Sequence, residues 1–140
     1  MNDIEPIDRY LLLDRIKEEL PQPLSESNQL GGELVFIGGD PGEVVVRMNR
    51  TKVTVAIFRV EWEGSHTPVV RPQVLATLSW RRLPAIRMMM TLHDMIAIAK
   101  EIRKARYRKC ERCGETKPPE WMHNATICQS CAEKHLGVVY

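Results

Sequence analysis

The C-terminal part of the chain carries the stretch that decides its fold, Cys110-Glu111-Arg112-Cys113-Gly114 and then Cys128-Gln129-Ser130-Cys131. Fourteen residues separate the two C-x2-C pairs, which is close to the spacing of four-cysteine zinc sites. Each pair places two thiolates on one edge of a tetrahedron, so two pairs complete the coordination of a metal ion. The pattern therefore predicts that Cys110, Cys113, Cys128 and Cys131 bind one Zn²⁺. We predict a structural site, because four protein ligands leave no open position for catalysis.

Several features of the sequence bear on this metal prediction. The segment Met1–Pro6 is acidic and has no long apolar run, so we expect no secretory signal and a cytoplasmic protein with reduced thiols. No stretch approaches the ~20 apolar residues of a membrane span, so no membrane partner is expected. The alternatives to zinc binding by the four cysteines are an iron–sulfur cluster and redox use of the thiols. His123 and His135 lie near the pairs, but four cysteines already fill a tetrahedral site.

The motif also carries a resemblance. The stretch Cys110-x-x-Cys113-Gly114-Glu115-Thr116-Lys117-Pro118, closing with Cys128-x-x-Cys131, resembles the four-cysteine zinc ribbons of small bacterial and phage proteins, some of which precede nuclease domains. A predicted helix leads straight into the first pair, which is distantly similar to the zinc finger of the DksA/TraR group of transcription regulators. The resemblance covers about a fifth of the chain and implies a zinc-ribbon fold there.

The rest of the chain departs from both groups of proteins. A β-rich block stands where the DksA group has a long coiled coil, and the spacing between the two cysteine pairs is shorter. No histidine-rich nuclease motif follows the second pair. The resemblance therefore implies neither nuclease activity nor a role in a polymerase channel.

The helix before the cysteines is predicted from its cap and its periodicity. Thr91-Leu92-His93-Asp94 resembles a capping box, and the helix is expected to continue to about Tyr107. Its apolar stripe consists of Leu92, Met95, Ile96, Ala99 and Ile102. The run Met88–Met90 just before this helix is interpreted as core, with an adaptable partner surface as the alternative.

Upstream of that helix, the pattern predicts an antiparallel meander preceded by a helix over Pro6–Leu20. The predicted strands are residues 33–37, 44–48, 53–63 and 73–83, and the predicted loops are residues 24–32 and 64–72. The segment Gly38–Gly42 lacks the spacing of a phosphate-binding loop and is predicted to be a turn. The fold class is therefore α+β: a domain over residues 1–109 with a small antiparallel sheet and flanking helices, and a zinc ribbon over residues 110–140.

The charge distribution suggests a partner. Residues 81–140 hold twelve of the twenty Lys and Arg but only six of the eighteen Asp and Glu, a net charge of +6, whereas residues 1–80 carry −4. A basic C-terminal part favours an anionic partner such as nucleic acid, although a solvated helix face that complements the helix dipole explains it equally well. The candidate contact residues are Lys100, Arg103, Lys104, Arg106, Arg108, Lys109, Arg112 and Trp121.

Three classes of function follow from these patterns. The leading prediction is a non-enzymatic binding protein that contacts nucleic acid through its basic C-terminal part. The alternative is a protein–protein adaptor in which zinc only holds the tail in shape and Trp121 packs or docks instead of stacking on a base. An enzyme with a small-molecule substrate is the least favoured, because His66 and His93 are isolated and no triad or open metal site is present.

Overall fold

The chain folds into an α+β structure built on a five-stranded antiparallel sheet, which confirms the predicted fold class. This computed structural model describes residues 5–64 and 66–140. The helices are α1 (Arg9–Glu19), α2 (Ala85–Ala105) and α3 (Gln129–Leu136). The strands are β1 (Leu24–Asn28), β2 (Leu34–Gly38), β3 (Val44–Met48), β4 (Val53–Ile57), β5 (Val60–Glu63), β6 (Thr67–Val70), β7 (Gln73–Leu78), β8 (Arg108–Lys109) and β9 (Thr116–Lys117).

The main sheet has the order β1-β2-β3-β4-β7 and buries one row of side chains under the helices. Phe36, Val46 and Val55 lie opposite one another on β2, β3 and β4, and all three are fully buried. Helix α2 packs against β3, β4 and β7, and α1 packs against α2. Val45 and Ala56 are next in sequence to two of these buried strand residues and therefore face the other side of the sheet, yet they are also buried, so burial does not alternate strictly along β3 and β4. The core of the protein therefore lies between this sheet and the two helices.

Helix α1 begins three residues later than the predicted start at Pro6. The carboxylate of Asp8 accepts hydrogen bonds from the backbone N–H groups of Tyr10 (2.9 Å) and Leu11 (3.3 Å), so Asp8 is the N-cap. An N-cap carboxylate satisfies donors that have no partner within the helix. Leu12 and Ile16 are completely buried.

Two strands lie in segments that the sequence predicted as loops. Residues 24–28 form edge strand β1, although Ser25, Glu26 and Ser27 gave the segment a polar, loop-like composition. Residues 67–70 form β6, which pairs with β5 in a separate hairpin. The predicted strand over residues 53–63 was wrong in extent, since it divides after Ile57 and its second half leaves the main sheet as β5.

Helix α2 begins at Ala85, six residues before the predicted capping box, which is therefore wrong. Pro84 occupies the N-cap, and Thr91 lies inside the helix. The methionine run belongs to the helix, with Met88 buried and Met90 63% exposed, so only part of it is core. The predicted apolar stripe is confirmed, because all five of its residues are buried or pack against the core.

The last part of the chain, residues 108–140, is called the cysteine module here. It consists of the β8–β9 hairpin, a single 3-10 turn over Pro119–Trp121, and α3. In the part of the chain that the structure describes, no helix is long and apolar enough to cross a membrane.

Candidate metal centre and adjoining surfaces

The four cysteines converge in the cysteine module. Cys110 and Cys113 lie in the turn between β8 and β9, whereas Cys128 is the N-cap of α3 and Cys131 lies in its first turn. Their four Sγ atoms lie within 4.8 Å of one another, and the Sγ atoms of Cys113 and Cys128 are 4.0 Å apart. Tetrahedral coordination with Zn–S bonds of about 2.3 Å requires sulfur atoms about 3.8 Å apart. The four thiols are thus positioned to bind a metal ion and need only a small contraction.

Backbone hydrogen bonds hold the first pair of cysteines in a tight turn. The N–H of Cys110 donates to the carbonyl of Glu115 (2.9 Å), and the N–H of Gly114 donates to the carbonyl of Cys110 (2.8 Å). Gly114 has a φ of +78°, which a residue without a Cβ adopts at little cost. These hydrogen bonds and the left-handed conformation of Gly114 therefore define the turn that carries Cys110 and Cys113.

A second set of hydrogen bonds joins the two cysteine pairs. The backbone N–H of Cys128 donates to the Sγ of Cys110 (3.4 Å), and the N–H of Glu111 donates to the carbonyl of Thr126 (2.8 Å). The side chain of Asn124 accepts from the N–H groups of Thr126 and Ile127, both at 2.9 Å, and so orders the loop before α3. The two pairs therefore face each other across a defined loop.

The protein environment shifts the thiol pKa values in opposite directions. Hydrogen bonds from the backbone N–H groups of Cys113 and Cys128 lower the pKa of Cys110 to about 6. Burial raises the pKa of Cys131 to about 12, and contacts with the neighbouring thiols add to that shift. A metal ion binds thiolates, so its binding displaces the protons that remain on such a cluster.

The chemistry of the donors fits a closed structural site. Cys110, Cys128 and Cys131 are buried, Cys113 is exposed, and all four are free thiols. Among the described residues, the only potential ligand cluster consists of these four cysteines. His123 lies outside it and contacts the hydroxyl of Tyr140. The module has little other core, because only Met122 and Ile127 pack against the cysteines.

Arg103 does not lie on the predicted contact surface, and this placement corrects its predicted role. It is only 1% exposed, although the sequence placed it among the partner-binding residues. Its Nη1 donates to Glu120 Oε2 (2.9 Å), and its Nη2 contacts the other carboxylate oxygen. Its Nε donates to the carbonyl of Gly42 (2.9 Å), and its guanidinium lies over the rings of Phe58 and Tyr107. Arg103 therefore joins α2, the β2–β3 turn and the cysteine module.

Glu120, Gly42 and Phe58 were not predicted as parts of this junction. A signal for Arg103 was nevertheless present, because the buried positions of α2 fall at three- and four-residue steps that include it. These positions are Ala85, Met88, Leu92, Ile96, Ala99 and Arg103. No comparable signal marked Glu120, since its burial depends on pairing with a residue on another element.

The other predicted contact residues lie closer to solvent. Lys104 pairs with Glu43 at 3.5 Å, and Nη2 of Arg106 donates to Oε1 of Gln73 at 2.7 Å. We call the remaining cations together with Arg106 the basic surface. It consists of Lys100, Arg106, Arg108, Lys109 and Arg112. No carboxylate among residues 5–64 and 66–140 forms a salt bridge with any of them.

Two grooves flank the 3-10 turn of the cysteine module. Arg106 and Arg108 line an open groove of about 410 Å³ together with Pro119, Met122 and Asn124. Trp121 is 46% exposed and lies on the other groove, of about 420 Å³. The structure thus separates Trp121 from the arginines with which the sequence grouped it.

Comparisons of the chain with protein-family models, curated proteins and solved structures found no match. The resemblance to zinc ribbons and to the DksA/TraR zinc finger therefore rests on the cysteine motif alone.

Proposed function

We propose that this protein is a non-enzymatic nucleic-acid-binding protein whose cysteine module is held together by one Zn²⁺. Zinc suits four thiolates in a tetrahedral arrangement, and a site with four protein ligands is structural. Such a site needs reduced cysteines, which supports a cytoplasmic location. The metal would fix the β8–β9 hairpin beside the end of α2, where the cations lie.

The observation that carries this proposal is the unneutralised basic surface. Arg108 and Lys109 lie on β8, Arg112 lies in the cysteine turn that follows, and all three are exposed. Arg108 is paired across the hairpin with Lys117, whose charge is offset by Glu115 at 3.2 Å. Cations without an intramolecular carboxylate partner are free to contact phosphate groups. Each phosphate contact releases condensed counterions, which favours binding.

The salt dependence of binding tests the proposal. We expect full-length, metal-loaded protein to bind a labelled DNA duplex, measured by fluorescence anisotropy. With about four phosphate contacts, the affinity should fall about 100-fold between 50 and 200 mM salt. The triple variant Arg108→Gln, Lys109→Gln, Arg112→Gln should weaken binding, and it should reduce the salt slope by about one unit for each phosphate that the protein no longer neutralises.

A matched control removes three charges at the other end of the sheet. Arg50 and Lys52 lie at the β3–β4 connection, and Arg82 follows β7, whose last residue pairs with Val53. The junction with Arg103 lies at the opposite ends of these strands, beside Gly42. Arg50→Gln, Lys52→Gln, Arg82→Gln should keep the affinity within about twofold, because exposed charges beyond a Debye length are screened. Equal losses in both triple variants, or binding insensitive to salt, would exclude a contact site on the basic surface.

A further inference from the structure

The groove on the other side of the 3-10 turn, called the aromatic groove here, has a different chemistry from the basic surface. Its walls include Pro41, Phe58, Trp62, Pro68 and Trp121. Trp62 is 39% exposed and Trp121 is 46% exposed, so two indole rings from separate elements border one depression. Large apolar side chains exposed together around a depression mark an interaction site more strongly than the same residues scattered singly.

The two indoles also present hydrogen-bond donors. The third tryptophan, Trp80, donates its Nε1–H to the carbonyl of Asn49 at 3.1 Å. Within the described residues, neither Trp62 nor Trp121 has an acceptor for its indole N–H. A ligand that offers flat apolar faces together with unpaired carbonyls would satisfy both the rings and these donors.

The charges along the groove select the class of ligand. The charged residues that line it are Asp40 and Glu120, and no Lys or Arg lines it. Glu120 is already paired with Arg103, whereas Asp40 is exposed and has no salt-bridge partner among the described residues. A phosphate backbone would be repelled here. A basic residue on the ligand would instead pair with the carboxylate of Asp40.

We propose that the aromatic groove binds a proline-rich peptide segment in the polyproline II conformation, with a Lys or Arg beside the prolines. A polyproline II helix has no internal hydrogen bonds, so its carbonyls are free to accept from indole N–H groups. Its proline rings pack against aromatic-lined grooves, and little conformational entropy is lost because the helix is preformed. This site does not depend on the proposed nucleic-acid contact.

The groove is shared between the sheet region and the cysteine module. Phe58 and Trp62 belong to the β4–β5 region, whereas Trp121 belongs to the module. Gln129 of α3 lines the groove and donates its side-chain N–H to the backbone carbonyl of Glu120 at 2.9 Å. The two walls therefore keep their spacing only while the module is folded, so peptide binding depends on the metal.

The test is an anisotropy titration of full-length, metal-loaded protein with a labelled peptide of about eight prolines, nearly three turns of the helix, followed by two arginines. We expect saturable binding that weakens at least about tenfold in Trp121→Ala and in Trp62→Ala, which is the size expected when a buried aromatic anchor is removed. Trp62→Phe keeps an aromatic ring and should lose less affinity. Asp40→Asn should weaken binding of this peptide but not of octaproline.

Tyr10→Ala is the matched control, because Tyr10 is an exposed aromatic residue on α1, outside the groove. It should leave peptide affinity unchanged. The proposal is overturned if no saturation is seen at peptide concentrations up to about 1 mM. It is also overturned if Trp62→Ala and Trp121→Ala leave peptide affinity unchanged but weaken the binding of a labelled thymidine oligonucleotide, since that result would assign the indoles to base stacking.

Discussion

Removal of the metal is expected to unfold the cysteine module while the sheet and its two helices stay folded. The main core consists of residues between Ile7 and Ala99, and no residue of the module belongs to it. In the module only Met122 and Ile127 pack against the cysteines. An apolar cluster of that size cannot offset the entropy of ordering about thirty residues, at about 1–2 kcal/mol each. Metal binding supplies about 10–16 kcal/mol in comparable small zinc modules, so its loss should dominate.

This expectation is checked by limited proteolysis and by an NMR amide spectrum before and after chelation. Amide signals of residues 110–136 should collapse toward random-coil positions, whereas those of β2–β4 should keep their dispersion. Cys110→Ser should reproduce the effect with metal present, because Cys110 is a buried proposed ligand whose Sγ also accepts the N–H of Cys128. Ser130→Ala is the control, since Ser130 is exposed and lies between Cys128 and Cys131. A module that resists protease equally well after chelation would contradict a structural metal.

The parts of the fold that the sequence predicted are those determined by local chemistry. The strands over residues 44–48 and 53–57 are rich in β-branched residues, and their turns contain Gly or Asn. The cysteine cluster was predictable because a tetrahedral metal restricts the spacing of its ligands. The division of the chain at residue 109 stays a prediction, although Arg103 and Glu120 show that the two predicted domains contact each other.

The errors occurred where distant contacts decide the structure. Strand β1 is polar and lies at the sheet edge, so its identity depends on hydrogen bonds to β2 and not on its own periodicity. Residues 53–63 satisfy strand propensity throughout, yet the pairing of β5 with β6 takes the second half out of the main sheet. Arg103 was predicted to lie on the surface because it is charged, although its position in the helix falls on the buried face of α2. Burial of that charge requires Glu120, seventeen residues away.

Loss of the buried ion pair between Arg103 and Glu120 is expected to destabilise the protein strongly. Arg103→Met should lower the free energy of unfolding by about 3–5 kcal/mol, because it leaves the carboxylate of Glu120 buried without a partner. Arg103→Lys should not restore the loss, since an ammonium group cannot hold both carboxylate oxygens and the carbonyl of Gly42 in one plane. Urea unfolding of the metal-loaded protein measures both changes.

A double-mutant cycle separates the ion pair from simple loss of packing. Arg103→Met combined with Glu120→Gln should cost less than the sum of the two single changes by about 1–3 kcal/mol, because the second substitution removes the unpaired charge that the first creates. Arg106→Met is the matched control, since Arg106 lies one turn later on the chain, is partly exposed and makes one side-chain hydrogen bond, to Gln73. This control should lower the free energy of unfolding by about 1 kcal/mol.

The pair does not hold the module on the sheet if the losses of stability in the two single variants simply add. The same conclusion follows if Arg103→Met loses no more stability than Arg106→Met. Coupling of the expected size would instead make Arg103 the residue through which the metal-bound module is fixed against the β2–β3 turn.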